Sequence, residues 1–202
     1  MIIFLRSAAV LFFAFTLMPG CRQQQPSAEL ATGDTAEIKE FFPVYDFLST
    51  EISSVDSLPV GLKYYQTINQ HTDSGYISHA DFDKLASLFT PADIRGDKFQ
   101  TGFKENSFYD RSSKTSTFMY QPLESANPVK RIDILTKATD TYDKVTSIYM
   151  ESQNTFADSS VSNKMMWKTG RYMQLNQQVT YTGKPAVKRQ IKVVWNNWEE
   201  TP

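Results

Sequence analysis

Residues 164–181 carry the clearest signal of fold class, and they read Lys-Met-Met-Trp-Lys-Thr-Gly-Arg-Tyr-Met-Gln-Leu-Asn-Gln-Gln-Val-Thr-Tyr. Two segments that suit strands, 164–168 and 172–181, flank Thr169-Gly170-Arg171. A short connection that contains glycine between two such segments is typical of a β-hairpin. We therefore predict an antiparallel sheet in this part of the chain.

Alternation with a period of two continues on both sides of this hairpin. In residues 131–137, for example, Ile132 and Ile134 fall on one face, and Arg131 and Asp133 fall on the other. Further strands are predicted over residues 103–109, 115–121, 131–137, 145–151 and 187–196. Alternation with short turns favours an antiparallel meander of about six strands with one solvent-exposed face.

A helical pattern lies closer to the amino terminus. Asp34 and Glu37 have the spacing of a capping box, and apolar residues then recur at intervals of three and four over residues 38–55. This pattern predicts a helix of about 20 residues, because one face of it is continuously apolar. Pro43 lacks a backbone N–H, so we expect a kink there or two shorter helices.

Shorter elements are predicted between this helix and the meander. Residues 62–69 suit a first strand, and residues 71–75 suit a turn. Ser78 is a candidate N-cap for a second helix with apolar residues at its core. Pro91 stands where a first helical position is favourable, which predicts a further helical turn over residues 91–95.

Together these elements favour an α+β fold. Two or three amino-terminal helices would pack on the apolar face of the six-stranded meander, which could also be strongly curved. The chain has 202 residues, enough for one domain and a leader. We expect a single domain over residues 36–202.

Residues 1–20 have the pattern of an export signal. A single positive charge at Arg6 precedes an apolar run over residues 8–18, and Pro19-Gly20 then interrupts the helix. The run is shorter than the roughly 20 apolar residues that a transmembrane helix needs. Cys21, the one cysteine of the chain, follows directly.

This arrangement resembles the signal peptide of bacterial lipoproteins. Gly20 and Cys21 match the end of that motif, and Met18 stands where the family usually has Leu. The resemblance implies cleavage before Cys21 and acylation of this residue, and several acyl chains hold a protein on a bilayer. Residues 21–35 are polar and contain Pro and Gly, which predicts a flexible tether. Arg22 replaces the Asp of an inner-membrane retention signal, which favours the outer membrane.

Composition and motifs exclude several function classes. The net charge is −1, from 21 basic and 22 acidic residues, whereas nucleic-acid binding needs a clustered basic surface. The sequence has no P-loop, no dinucleotide-binding glycine motif and no nucleophile elbow. Cys21 cannot act as a thiol nucleophile once it is acylated. We therefore predict no catalytic residue and no cofactor.

The densest group of possible metal ligands consists of His71, Asp73, His79, Asp81 and Asp83. The two histidines are eight residues apart, whereas two ligands on one helix face are typically four apart. The last two carboxylates fall in the first turn of the predicted second helix, where the helix dipole favours negative charge. The pattern therefore favours a solvated turn and a helix cap over a metal site.

Three residues are candidates for ligand binding: Trp198, His71 and His79. Trp198 follows the last predicted strand, where an indole can stack on a ligand. The favoured function is a non-enzymatic binding or interaction module at the bacterial envelope, with an envelope protein or a small ligand as its partner. Two alternatives stay open: an envelope hydrolase with a dispersed site, and an accessory subunit of an outer-membrane assembly with an exposed apolar patch.

Overall fold

The computed structural model describes residues 40–139 and 143–196. Within these residues the chain forms three α-helices, two short 3₁₀ turns and nine β-strands. The helices are α1 (Val44–Asp56), α2 (His79–Ala86) and α3 (Asp97–Gly102), and the 3₁₀ turns span Ser87–Phe89 and Ala92–Ile94. The strands are β1 (Leu62–Ile68), β2 (His71–Ile77), β3 (Phe103–Asp110), β4 (Thr115–Pro122), β5 (Val129–Ala138), β6 (Asp143–Thr155), β7 (Ser159–Lys168), β8 (Tyr172–Tyr181) and β9 (Val187–Val194).

All nine strands belong to one antiparallel sheet with the order β2-β1-β9-β8-β7-β6-β5-β4-β3. Strands β3 to β9 form a continuous meander, in which each strand pairs with the next one along the chain. The one non-consecutive pairing joins β9 to β1, with Gln66 opposite Ile191. This pairing adds the β1–β2 hairpin to the meander and leaves β2 and β3 at the two edges.

The fold-class prediction is wrong. The described residues do not form an α+β arrangement of helices on a six-stranded meander; most of them belong to one open nine-stranded antiparallel sheet, and the helices are few and short. Two strands extend further than predicted, since β6 has 13 residues and β7 has 10. The hairpin predicted around Gly170 is confirmed, with Lys168 opposite Tyr172.

The sheet has a core face and an outer face, because successive side chains of a strand point to opposite sides. Two neighbouring rows of the core face are fully or almost fully buried. They consist of directly opposed residues from β5 to β9: Ile132, Met150, Met165, Leu175 and Ile191, and beside them Ile134, Ile148, Trp167, Met173 and Val193.

The helices pack aromatic side chains against part of the core face. Phe82 of α2 lies 6.4 Å from Trp167 and 5.9 Å from Trp195 between ring centroids. Phe89 meets Trp167 edge-on at 5.4 Å. Burial of a large apolar side chain contributes about 1.5–3 kcal/mol, so this cluster is a principal source of stability.

The amino-terminal helix differs from its prediction. Asp34 and Glu37 lie outside the described residues, and α1 begins at Val44, with Pro43 as its N-cap. Pro43 therefore precedes the helix instead of bending it. Its carbonyl accepts a hydrogen bond from Phe47 N at 3.0 Å, and a residue at the start of a helix has no helical partner for a backbone N–H, so the N–H that proline lacks is not missed there. Among the described helices, none is long and apolar enough to cross a membrane.

Three local predictions have different outcomes. Ser78 is the N-cap of α2, as predicted, and its hydroxyl accepts a hydrogen bond from Asp81 N at 3.1 Å. Residues 71–75 are not a turn but most of β2, and the actual turn lies at positions 69 and 70. The helical turn predicted over residues 91–95 is a 3₁₀ turn of three residues that starts after Pro91.

Candidate functional site

A cavity of about 390 Å³ opens over strands β1, β9, β8 and β7. Ser162, Lys164, Asn176 and Gln190 each adjoin a buried residue of the core face, which places these lining side chains on the outer face of the sheet. We call this cavity the polar groove. Its lining residues are Thr67, Asn69, Ser162, Lys164, Asn176, Gln177, Gln178, Lys188, Arg189 and Gln190.

Seven of these residues form two adjacent rows across the strands. The first row consists of the directly opposed residues Thr67, Gln190, Asn176 and Lys164. The second row consists of Lys188, Gln178 and Ser162. Neighbours within a row are about 4.8 Å apart and the two rows are about 6.8 Å apart, as sheet geometry dictates. The result is a regular grid of short and long polar side chains.

The grid is rich in groups that both donate and accept hydrogen bonds. The primary amides of Asn176, Gln178 and Gln190 contain two N–H donors and one carbonyl acceptor each, and the hydroxyls of Thr67 and Ser162 can donate and accept. Ligands that carry many hydroxyl groups need this combination. Two of these side chains also bond within the protein: Gln178 Nε2 donates to Thr180 Oγ1 at 3.4 Å, and the Thr67 hydroxyl lies 3.2 Å from that of Thr72. Among the described residues that line the groove there is neither a carboxylate nor an imidazole.

Two ammonium groups stand at diagonal corners of the grid. Lys164 ends the first row on β7, and Lys188 ends the second row on β9. Within residues 40–139 and 143–196, neither of these lysines forms an ion pair. Both are exposed, so their charges face solvent over the groove.

An acidic residue of the outer face, Glu151 of β6, lies directly opposite Lys164. Its carboxylate accepts a hydrogen bond from the Tyr149 hydroxyl at 2.5 Å. Burial, and then this hydrogen bond, raise the pKa of Tyr149 to about 12, so the phenol stays protonated and continues to donate at neutral pH. The carboxylate of Glu151 therefore flanks the groove with one of its oxygens bonded to Tyr149.

The β1–β2 turn fixes one margin of the groove. Asn69 has a positive φ of 54°, which asparagine tolerates better than most residues. Its backbone N donates to Lys188 O at 2.7 Å, and its side-chain Oδ1 accepts from Lys188 N at 3.1 Å. This pair of bonds ties the turn to β9 and fixes the backbone from which Lys188 projects.

A hydrogen-bonded polar ribbon lies under the groove on the core face. Asn163 is 4% exposed; its Nδ2 donates to Ser152 Oγ at 3.2 Å, and its Oδ1 accepts from Gln177 Nε2 at 3.0 Å. Arg189 Nε donates to Gln66 Oε1 at 2.8 Å. The side chains of Gln177 and Arg189 are thus engaged within the protein, and they brace the strands that carry the grid.

A second cavity, of about 360 Å³, lies between the end of α1 and the β7–β8 turn. Val55 and Trp195 contribute apolar surface, and Glu51 contributes a carboxylate. Oε2 of Glu51 accepts hydrogen bonds from Trp167 Nε1 at 3.1 Å and from Gly170 N at 3.2 Å. This carboxylate therefore joins α1 to the sheet, which is a structural role.

The two candidate histidines do not form a common site. His71 begins β2 and His79 begins α2, so the length of β2, roughly 20 Å, separates them. Nδ1 of His79 lies 3.1 Å from Asp56 Oδ1 at the surface. His71 is exposed beside the turn that borders the polar groove, but it does not line the groove. In the part of the chain that the structure describes, no three metal-binding side chains are grouped.

The other two sequence candidates, Trp198 and Cys21, lie outside the described residues. Sequence reasoning missed the polar groove altogether. The sequence signal for the groove was the segment Gln174-Leu-Asn-Gln-Gln178. Three of its four amides, Gln174, Asn176 and Gln178, share one face of the strand, where a solvated strand usually has charged residues. This segment indicates a binding surface only once the strand pairing is known, because β7 and β9 place further polar side chains beside Asn176 and Gln178.

Comparisons of the chain with protein-family models, with curated proteins and with solved structures find no match. The residues of the groove are therefore the basis for assigning a function.

Proposed function

We propose that this chain is a lipid-anchored protein of the bacterial envelope, and that it is a binding module which holds a hydrophilic ligand in the polar groove. The two-row grid of amides, hydroxyls and ammonium groups carries the proposal. Such side chains hold a ligand by many directional hydrogen bonds. General acid–base catalysis, in contrast, uses groups whose pKa lies close to the working pH, above all imidazoles and carboxylates.

The position of the groove in the sheet supports a binding role. Its four strands each have a hydrogen-bonded partner on both sides, with β2 and β6 as the outer neighbours. The backbone positions of the grid are therefore fixed before a ligand arrives. A preorganised site loses less conformational entropy on binding, which favours affinity.

The membrane part of the proposal rests on the sequence. We propose removal of residues 1–20, acylation of Cys21, and a tether over residues 21–35. A flexible tether of that length has a root-mean-square reach of roughly 20 Å, so the folded domain would stay near the lipid surface, in the outer membrane by our proposal. Incorporation of labelled palmitate, abolished in Cys21→Ala, is the expected result. Unlabelled wild-type protein would contradict the anchor.

Ligand binding is tested by NMR on the full mature protein in detergent micelles. A library of sugars, sugar acids, amino acids and phosphates should contain members that shift backbone amides of β1, β7, β8 and β9. Asn176→Trp, which places a large ring in the centre of the grid, should abolish these shifts. Asn106→Trp, on the exposed outer face of edge strand β3, is the matched control and should leave them unchanged.

Two results would contradict the binding proposal. One is a set of ligands whose shifts map to the cavity beside Glu51 and Trp195 in place of the groove. The other is turnover of a library member into product by the wild-type protein, which would favour the hydrolase alternative. Loss of binding in both tryptophan variants would show a general effect of the substitution and would also remove support from the groove.

A further inference from the structure

We infer that the polar groove is specific for an acidic oligosaccharide, whose anionic groups pair with Lys164 and Lys188 and whose hydroxyls bond to the amides between them. This inference rests on the proposed function, because it names the ligand class of the same site.

The charge argument starts from the two lysines. They are two strands and one row apart, which places their Cα atoms about 12 Å from each other. Side chains of a strand stand roughly perpendicular to the sheet, so the ammonium groups keep about that separation. A single small anion such as phosphate contacts both ammonium groups only if the two flexible side chains bend toward each other, which costs side-chain entropy. A longer molecule with anionic groups at intervals reaches both.

The hydroxyl argument comes from what lies between the lysines. Asn176 adjoins Lys164 in the first row, and Gln178 adjoins Lys188 in the second row. An extended ligand that joins the two corners must cross these amides. Sugar hydroxyls satisfy both their N–H donors and their carbonyl acceptors, whereas an apolar spacer would leave them desolvated and unpaired, at a cost in affinity.

The charges around the groove determine in which direction an anionic ligand can extend from Lys164. Beyond Lys164 on the same face, the next residue of the row is Glu151, and beyond it Arg131 is paired with Asp133 at 2.6 Å. A carboxylate next to Lys164 repels an anionic ligand that extends toward β6. The ligand therefore runs from Lys164 toward Lys188 and the β1–β2 turn.

The test uses matched pairs of trisaccharides. Cellotriose, maltotriose and mannotriose are each compared with the same trisaccharide after oxidation of its primary alcohols to carboxylates. Binding to the full mature protein in detergent is measured by titration calorimetry at low and at moderate salt, with inorganic phosphate as a further ligand. We expect at least one oxidised trisaccharide to bind at least about tenfold more tightly than its neutral parent, and added salt to weaken the complex.

Two variants and a control locate the binding. Lys164→Gln and Lys188→Gln remove the charge but keep a hydrogen-bonding side chain, and each should weaken binding of the acidic trisaccharide by about two- to fivefold, as for an exposed ion pair. Lys104→Gln removes an equal charge from β3, at the far edge of the sheet, and should change nothing. Binding of any neutral trisaccharide should be insensitive to all three substitutions.

Several outcomes would overturn the inference. Equal affinity for oxidised and neutral trisaccharides would remove the charge argument and leave the groove as a neutral ligand site. Binding of phosphate as tight as that of the acidic trisaccharides would show that the lysines act singly. Failure of every trisaccharide, while the NMR library still finds ligands in the groove, would reject the saccharide class alone. Failure of both experiments would reject the proposed function as well.

Discussion

Removal of the Glu51 carboxylate tests how the short helices are held on the sheet. Glu51 is the eighth of the 13 residues of α1, and its Oε2 accepts from the Trp167 indole at 3.1 Å and from Gly170 N at 3.2 Å. These partners follow Glu51 in the sequence by 116 and 119 residues. In Glu51→Ala both donors lose their acceptor, and α1 loses a direct polar link to β7 and to the β7–β8 turn.

The size of the effect follows from the burial of the two donors. Trp167 is 0% exposed, so its N–H would be left unpaired in the core, which costs about 1–3 kcal/mol. Gly170 lies in an exposed turn, where water replaces the lost acceptor at little cost. We therefore expect Glu51→Ala to lower the free energy of unfolding by about 1–3 kcal/mol. Glu51→Gln keeps an acceptor oxygen and should cost about 0.5–1.5 kcal/mol, because a neutral hydrogen bond replaces a charge-assisted one.

Urea unfolding followed by tryptophan fluorescence measures both variants. The midpoint should fall while the m-value stays unchanged, because the surface exposed on unfolding is the same. Glu124→Ala, at an exposed position between β4 and β5, is the control and should stay within about 0.5 kcal/mol of wild type. In NMR spectra the Trp167 indole proton should exchange faster with solvent in Glu51→Ala than in Glu51→Gln.

The reasoning would be refuted by a particular pattern of results. If Glu51→Ala unfolds at the midpoint of Glu124→Ala, the carboxylate contributes nothing beyond a surface charge. If Glu51→Gln costs as much as Glu51→Ala, the charge and not the acceptor oxygen stabilises the helix. The first result would show that the aromatic contacts of α2 hold the helices in place without the carboxylate of α1, and the second would show that the link depends on the negative charge of Glu51.

Three further outcomes are expected. Tyr120→Phe, which deprives the Phe42 N–H of its 3.2 Å acceptor beside a fully buried ring, should lower the free energy of unfolding by about 1–2 kcal/mol in urea; no change would show that water replaces the hydroxyl. Ser78→Ala should cost about 1 kcal/mol, because Asp81 N loses its cap, and Ser78→Thr should restore most of this in the same assay. Hydrogen bonds from two serines in the following turn lower the pKa of Asp110 from 3.8 to about 2, so its contribution to folding stability is present above pH 4 and is lost as the pH falls toward 2. Asp110→Asn should therefore lose less thermal stability over that interval than the wild type does. Identical pH profiles of the two proteins would contradict the assignment.

The strands of the meander were largely predictable because their alternation is local. Residues 172–181 match β8 to the residue, and the strand predicted over residues 187–196 is β9, Val187–Val194. Burial on one face alone produces such a pattern, whatever the partner strand. Strand lengths were underestimated, because β6 ends in exposed polar residues and β7 begins with serines, which interrupt the apolar alternation.

The edge of the sheet and the fold class were not predictable in the same way. The β2 sequence, His71-Thr-Asp-Ser-Gly-Tyr-Ile77, is composed largely of turn-forming residues and reads as a loop. It forms a strand because β1 supplies a full ladder of seven opposed pairs, from Leu62 with Ile77 to Ile68 with His71. The pairing of β9 with β1 is equally invisible to local pattern, since it joins segments more than a hundred residues apart.

The polar groove was not predicted from the sequence because it, too, depends on the pairing of distant strands. Each of its strands presents an ordinary polar outer face, and Asn176 or Lys188 alone is a typical solvated residue. The grid arises when register brings residues of β1, β7, β8 and β9 side by side. Histidines and tryptophans are chemically distinctive and were therefore chosen as candidates from the sequence. The amides of the groove are common surface residues, and only their arrangement in the folded sheet identifies them as a site.

The polar ribbon under the groove gives this arrangement a physical reason beyond solubility. Asn163 occupies a core-face position next to Met165, where an apolar residue would extend the buried rows. A buried amide costs free energy unless both its groups are bonded, and here Ser152 and Gln177 satisfy them. The two hydrogen bonds of Asn163 hold the side chains of Ser152 and Gln177 in fixed orientations below the grid. Asn163→Leu should therefore lower the free energy of unfolding in urea by about 1–2 kcal/mol, because Ser152 and Gln177 lose their partner, and it should also weaken ligand binding in the groove. A purely structural ribbon would lose the same stability and keep its affinity for the ligand.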